Sequence, residues 1–348
     1  MRKQTLLLLA LGMAISGSAC TGGNSGGPSV PVPVPPRVEL GIMYASPGGV
    51  PLKLDAYLPG SPGPHPGVIL IHGGAFRFGE REWETYLATA LVDAGFAAFS
   101  IDYRLAPEFP FPAAVDDVLA AVTWVRTQAA EYGVDPREIG AIGESAGGHL
   151  AAMLAVLGRD SLDMGSRIAA AVSWSGPMDL NALVHDAGDV VSAGLPIRDV
   201  VEQFLGCRGV SCARLFRKAS PVTFDDPSDA PMLLVNSVEE FIPIAQAREM
   251  AAELRRAGVS VRVIEMPGDK HAGEYANDPV PGSIAHRPRC LDRVPPFGAV
   301  TGTPARLPSD FLPRQISSLE SRPIRPGCPT RINVVSHDFV AFRRRKGE

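Results

Sequence analysis

The stretch Ile139-Gly140-Ala141-Ile142-Gly143-Glu144-Ser145-Ala146-Gly147-Gly148-His149-Leu150 decides how the rest of the chain is read. An apolar run leads into Gly143-Glu144-Ser145-Ala146-Gly147, and an alanine-rich stretch of helical pattern follows. The pattern predicts a strand, a sharp turn and a helix, with Ser145 at the apex. Such a turn strains the backbone at the serine and lifts its hydroxyl clear of the sheet. Gly143 and Gly147, two before and two after, let strand and helix pass closely. The helix N-terminus then sits beneath the hydroxyl and favours negative charge there. Glycine and serine are common, so the motif alone says little. Its setting between an apolar strand and a helix, with a second glycine after it, makes Ser145 a candidate nucleophile.

The segments around it alternate in type. Residues 67–71 form a continuous apolar run, as a strand buried on both faces requires. Residues 38–44 and 52–58 read as a hairpin turned at Pro47-Gly48-Gly49, and 96–101, 138–142, 168–174, 232–235 and 260–265 as further strands. Helical patterns fall at 83–94, 112–132, 146–157 and 244–257. Alternating strands and helices predict an α/β fold: a mostly parallel, doubly wound sheet with helices on both faces.

His72-Gly73-Gly74-Ala75-Phe76 follows its strand immediately. The two glycines let backbone N–H groups turn toward an oxygen atom with no side chain in the way. Gly73 and Gly74, with the N–H of Ala146 after the serine, are therefore the candidate oxyanion hole. Asp102-Tyr103-Arg104-Leu105-Ala106-Pro107-Glu108 ends the next strand, and Asp102 and Arg104 are expected to lock loops beneath the site.

Together, His72-Gly73-Gly74, Asp102 to Glu108 and Gly143 to Gly148 resemble the α/β-hydrolase carboxylesterases of the hormone-sensitive-lipase and feruloyl/acetyl-esterase-like group, over about residues 38–276. The resemblance implies the α/β-hydrolase fold, a small-molecule ester substrate, no metal and no organic cofactor. It also implies a Ser-acid-His triad in that chain order. The acid should follow the strand at 232–235. There the family often has His-Gly-x-x-Asp before a proline; this chain has Asn236-Ser237-Val238-Glu239-Glu240-Phe241-Ile242-Pro243. Counting along the loop puts Glu240 where the aspartate stands, with Glu239 as the alternative. Glutamate is one methylene longer, so the turn must be set back. The base should follow the last core strand, and His271 in Met266-Pro267-Gly268-Asp269-Lys270-His271 does; His286 is the runner-up. His72 and His149 belong to motifs whose histidine is structural. A pocket is expected between Phe76, Trp174 and a small cap at 177–220. An amide hydrolase with the same triad and a catalytically inactive binding module are the competing readings.

The remaining segments speak of location. Arg2 and Lys3, the apolar run 6–15 and the small residues 16–19 make residues 1–20 a secretory signal. Cys20 follows, as in a bacterial lipoprotein, although Gly17 stands where such signals carry leucine. A lipidated Cys20 that tethers the chain to a membrane and simple cleavage near Ala19 both stay open. Residues 21–36 are glycine- and then proline-rich, a tether extending roughly 3.1 Å per residue in its proline part. The hydrolase domain is expected over 37–348, with an irregular insertion at 277–331 and a closing helix at 333–345. Four further cysteines suggest two disulfides, Cys207 with Cys212 and Cys290 with Cys328, as an oxidising compartment allows. The net charge of −4 gives no sign of a nucleic-acid partner.

Overall fold

Parallel pairing of apolar runs sets the architecture. The structure, a computed structural model, describes residues 34–186, 190–224 and 226–275. The main sheet contains β1 (Arg37–Ala45), β2 (Leu52–Leu58), β3 (His65–Ile71), β4 (Ala97–Ile101), β5 (Val134–Glu144) and β6 (Ala171–Trp174). A two-stranded hairpin, β7 (Val191–Ser192) and β8 (Leu195–Pro196), lies apart from it, and β9 (Met232–Ser237) and β10 (Val261–Met266) complete the main sheet. Its eight strands run in the order β1-β2-β4-β3-β5-β6-β9-β10. β1 pairs antiparallel with β2, and β2 with β4; every other pair is parallel. This is the mostly parallel, doubly wound sheet that the sequence pattern predicts, in the α/β-hydrolase arrangement that the resemblance implies.

Side-chain alternation explains the two cores. On β3, Ile69 and Ile71 join one buried cluster, Val68 and Leu70 the other. Helices α2 (Ala113–Thr127), α3 (Ala146–Leu157) and α7 (Ile244–Arg256) place their apolar residues in the first cluster; α1 (Thr85–Asp93) covers the second with Leu87, Ala88 and Leu91. Each fully buried aliphatic side chain contributes about 1.5–3 kcal/mol, so both faces must be covered for the sheet to persist. Helix α2 stops at Thr127, short of the expected 132. A turn follows, and β5 starts early, at Val134, which pairs with His65 of β3. The helix expected from 83 is instead a 3-10 turn, Arg81–Glu84, leading into α1.

Register brings the functional loops to one edge. Ile71 lies opposite Gly143, Glu144 opposite Trp174, Trp174 opposite Val235, and Ser237 opposite Met266. The loops after β3, β5, β6, β9 and β10 therefore leave from the same end of the parallel strands, where open α/β sheets bind ligands. Asp102 and Arg104 do hold the loop after β4. The Arg81 backbone N–H and guanidinium donate to Asp102 at 3.0 and 2.7 Å. Arg104 forks onto the buried Asp117 at 2.7–3.0 Å.

Residues 177–220 hold α4 (Leu180–Asp186), the β7–β8 hairpin, α5 (Ile197–Leu205) and α6 (Ala213–Lys218). Phe204 of α5 stacks on Phe76 at 3.9 Å between ring centroids, which seats the segment on the loop after β3. Cys207 and Cys212 are joined by a disulfide. Cys20, Cys290, Cys328, His286, the signal segment, the tether up to residue 33, the 277–331 insertion and the 333–345 helix lie outside the described residues.

At Gly147 backbone approaches backbone so closely that a Cβ would meet the Ile71 carbonyl oxygen at 1.9 Å and that of His72 at 2.5 Å. Neither partner is a flexible side chain, so Gly147→Ala must push α3 away from β3. Urea unfolding is expected to show a loss of about 3 kcal/mol; an unchanged midpoint would contradict the packing described here.

Candidate active site

Ser145 caps α3 at the end of β5 with φ 52° and ψ −115°, a left-handed conformation that a non-glycine residue adopts at a cost. Contacts on every side hold it there. Its N–H donates to Trp174 O at 2.7 Å, and its carbonyl accepts from the His149 N–H at 3.0 Å. A Cβ on Gly143 would meet Gly147 O at 2.1 Å, so strand and helix can close only through glycine. The expectation of a strained serine lifted from a strand-to-helix turn matches this geometry.

The loop after β3 laps over that turn. A Cβ on Gly73 would stand 3.4 Å from the Ser145 Cβ. Gly74 has φ +104°, and a Cβ there would meet Phe78 O at 2.0 Å; the Arg77 and Phe78 N–H groups both donate to Gly74 O. Gly73, Gly74 and Ser145 line one cleft of about 550 Å³. Ala146 begins α3, and the first N–H groups of a helix have no partner inside it.

The loop after β9 delivers Glu240 and the loop after β10 delivers His271. His271 Nδ1 is hydrogen-bonded to Glu240 Oε2; the glutamate side chain is fully buried and the histidine 21% exposed. Glu240 Oε1 accepts from the Ser175 hydroxyl at 2.7 Å and the Ser237 N–H at 2.9 Å. Glu239 is exposed and donates its N–H to Gly268 O at 3.0 Å. His271 also lines the cleft, packs on Phe241 at 4.3 Å, and donates its N–H to Glu274 Oε2 at 2.8 Å.

The other two motif histidines are structural. His72 stacks on Tyr103 at 4.3 Å with Nδ1 2.7 Å from Gly73 O, and burial lowers its pKa to about 4. His149 has Nδ1 2.8 Å from Pro177 O, lies edge-on to Phe76 and Phe204, and is likewise lowered to about 4 by burial. Both rings are neutral at pH 7.

The expected pocket walls need correction. Phe76 and Trp174 do not line the cleft. Phe76 has φ 61° and turns its ring into the core against Phe204, while strand parity sends Trp174 beneath the sheet to pack on Tyr275. The aromatic walls are Phe78, Trp83, Tyr86 and Phe241, with Ser192 of the hairpin on the cap side.

Sequence reasoning also missed Ser175, which follows β6 with φ 53°. Its hydroxyl donates to Glu240, accepts from the Ala272 N–H at 2.9 Å, and lies 2.9 Å from Tyr275 OH. Tyr275 OH donates in turn to Val235 O at 2.8 Å, and burial holds its pKa well above the usual phenol range. One hydroxyl thus ties the acid to the backbone beside the histidine. Only the strand-ending Trp174-Ser175-Gly176-Pro177 marks it in the sequence, and that reads as an ordinary turn.

Comparison with known proteins follows the same lines. Residues 54–254 match the BD-FAE family model. The chain is 32% identical over 221 residues to esterase LipQ of Mycobacterium tuberculosis, an alignment covering 61% of this chain and 51% of the relative. With carboxylesterase NlhH of the same organism it shares 37% over 218 residues, 61% of this chain and 67% of the relative. It thus spans only about half the length of the first of these. Among solved structures, a truncated form of a carbohydrate esterase from gut microbiota superposes with a TM-score of 0.57 at 27% identity, covering 67% of this chain and 88% of that one.

Loss of the Ser175 hydroxyl should leave Glu240 and the histidine loop less firmly placed. Ser175→Ala is expected to lower kcat on any substrate of the cleft by about 10²-fold with KM little changed. A variant with undiminished kcat would show that Ser175 merely fills space.

Proposed function

We propose, from the premise that this chain belongs to the BD-FAE family, that it is a serine hydrolase of small carboxylic esters working through Ser145, His271 and Glu240. The observation that carries the reading is His271, hydrogen-bonded to the buried Glu240, facing the same cleft as a serine at a strained turn apex. Ser145 Oγ attacks the ester carbonyl while His271 Nε2 takes its proton. Glu240 fixes the tautomer by accepting from Nδ1–H and stabilises the imidazolium that forms. The Gly73, Gly74 and Ala146 N–H groups donate to the oxyanion; each such donor is worth about 3 kcal/mol in the transition state. His271 then protonates the leaving alcohol, and water, with His271 as base, hydrolyses the acyl-enzyme.

The length of glutamate suits this site. Two donors, Ser175 and the Ser237 N–H, hold one carboxylate oxygen and leave the other for the imidazole. Export belongs to the same proposal: residues 1–20 carry the signal, leading either to a lipidated Cys20 as membrane tether or to cleavage near Ala19 and secretion, and the Cys207–Cys212 disulfide suits an oxidising compartment.

The test is kinetic. Ser145→Ala should abolish hydrolysis of short nitrophenyl esters while the protein stays folded. Glu240→Gln should lower kcat by about 10⁴, the scale for a triad acid made amide. Glu239→Gln should do far less. Undiminished turnover by the Ser145 variant, or a larger loss at Glu239 than at Glu240, overturns the assignment.

A further inference from the structure

Glu84 has no part in the chemistry above, yet it reaches the cleft that holds Ser145 and His271. It ends the 3-10 turn Arg81–Glu84, is only 2% exposed, and its Oε2 has no hydrogen-bond partner among the described residues. Leaving a buried polar atom unpaired is costly, and such an exception calls for an explanation. Glu144, the residue before the nucleophile, lines the same cleft and accepts a hydrogen bond from Tyr86 OH. Glu274 stands at the rim. Around these carboxyls lie Phe78, Trp83 and Tyr86, large rings left 44%, 47% and 42% exposed. No lysine or arginine is among the described residues lining the cleft. Aromatic faces and carboxylates both attract positive charge, and together they form the surroundings in which an alkylammonium group is held. The same walls repel a carboxylate on the substrate.

Resting on the ester-hydrolase reading, we propose that this end of the cleft is a subsite for an ammonium group carried by the ester. Glu84 and Glu144 are its counter-charges, and Phe78, Trp83 and Tyr86 its aromatic wall. The unpaired Glu84 oxygen then has a purpose in the complex that it lacks in the free protein.

The subsite has a proton linkage of definite sign. Burial, and then the nearby Glu144, hold the free Glu84 carboxyl well above the usual carboxylate range; burial also raises Glu144. The other titratable groups facing this pair are Tyr86, Tyr103 and Tyr275, whose phenols burial keeps protonated, and His271, which approaches Glu144 from the opposite loop. A bound ammonium favours ionised Glu84, so it binds with release of a proton and binds more tightly as pH rises through the Glu84 titration. A neutral ligand of the same shape lacks that dependence.

The experiment compares, on the full chain, a choline ester with its neutral isostere, the 3,3-dimethylbutyl ester of the same acid. The choline ester should be preferred in kcat/KM by about tenfold, and Glu84→Gln should remove most of that preference. Calorimetry of choline binding to the Ser145→Ala protein, in buffers of different ionisation enthalpy, should show proton release. Equal or reversed preference in the unaltered protein, with no choline binding, overturns the subsite and leaves ester hydrolysis standing. Choline binding with proton release but no turnover of either ester supports the subsite and removes the hydrolase reading. A cationic preference that survives Glu84→Gln overturns the role of Glu84, and because the comparison in the unaltered protein stands alone, poor folding of the variant does not rescue the proposal.

Discussion

Three backbone segments meet at Gly147 with no room for a side chain, and the site depends on that meeting. The end of β3, the end of β5 and the first turn of α3 approach until a single Cβ would overlap the Ile71 carbonyl. Packing this tight holds Ser145 in a conformation that costs of order 1–3 kcal/mol in isolation. It also brings the glycine loop after β3 against the serine. The candidate nucleophile and the candidate oxyanion donors are therefore positioned by one packing constraint.

The other half of the site is tied together by hydrogen bonds. The loops after β9 and β10 are laced at Val238 N–H to Met266 O, Glu239 N–H to Gly268 O and Ser237 Oγ to Lys270 O. Ser175, at the end of the strand between β5 and β9, joins Glu240 to the backbone after His271. A buried carboxylate is expensive unless its lone pairs are occupied, and Glu240 has donors on both oxygens. Glu84 is the opposite case within the same cleft, a buried carboxyl left with an unpaired oxygen.

The legible parts of this molecule are those whose chemistry lies in short, contiguous motifs. Apolar runs and glycine spacing are enough to predict the sheet, the turn at Ser145 and the loop at Gly73. The triad order implied by the family resemblance, with counting along two loops, reaches Glu240 and His271, and the parallel sheet brings those strand ends to one edge. What escaped the sequence depends on direction. Phe76 and Trp174 sit beside the right motifs, but a positive φ and strand parity turn both rings away from the cleft. Ser175 acts on residues 65 and 97 positions away, and no local pattern announces such a bond. α2 ends at Thr127 although its apolar pattern runs on to Tyr132, because pairing of Val134 with β3 claims the chain sooner.

The central claim is that Ser145 alone is made nucleophilic, by His271 and Glu240 across this cleft. The most direct test is to treat the full chain with a serine-directed phosphonate and locate the adduct by peptide mass spectrometry. The account predicts one stoichiometric adduct, on Ser145, lost when His271 is replaced by alanine. An adduct on another residue, or labelling of Ser145 that is indifferent to His271, would contradict it.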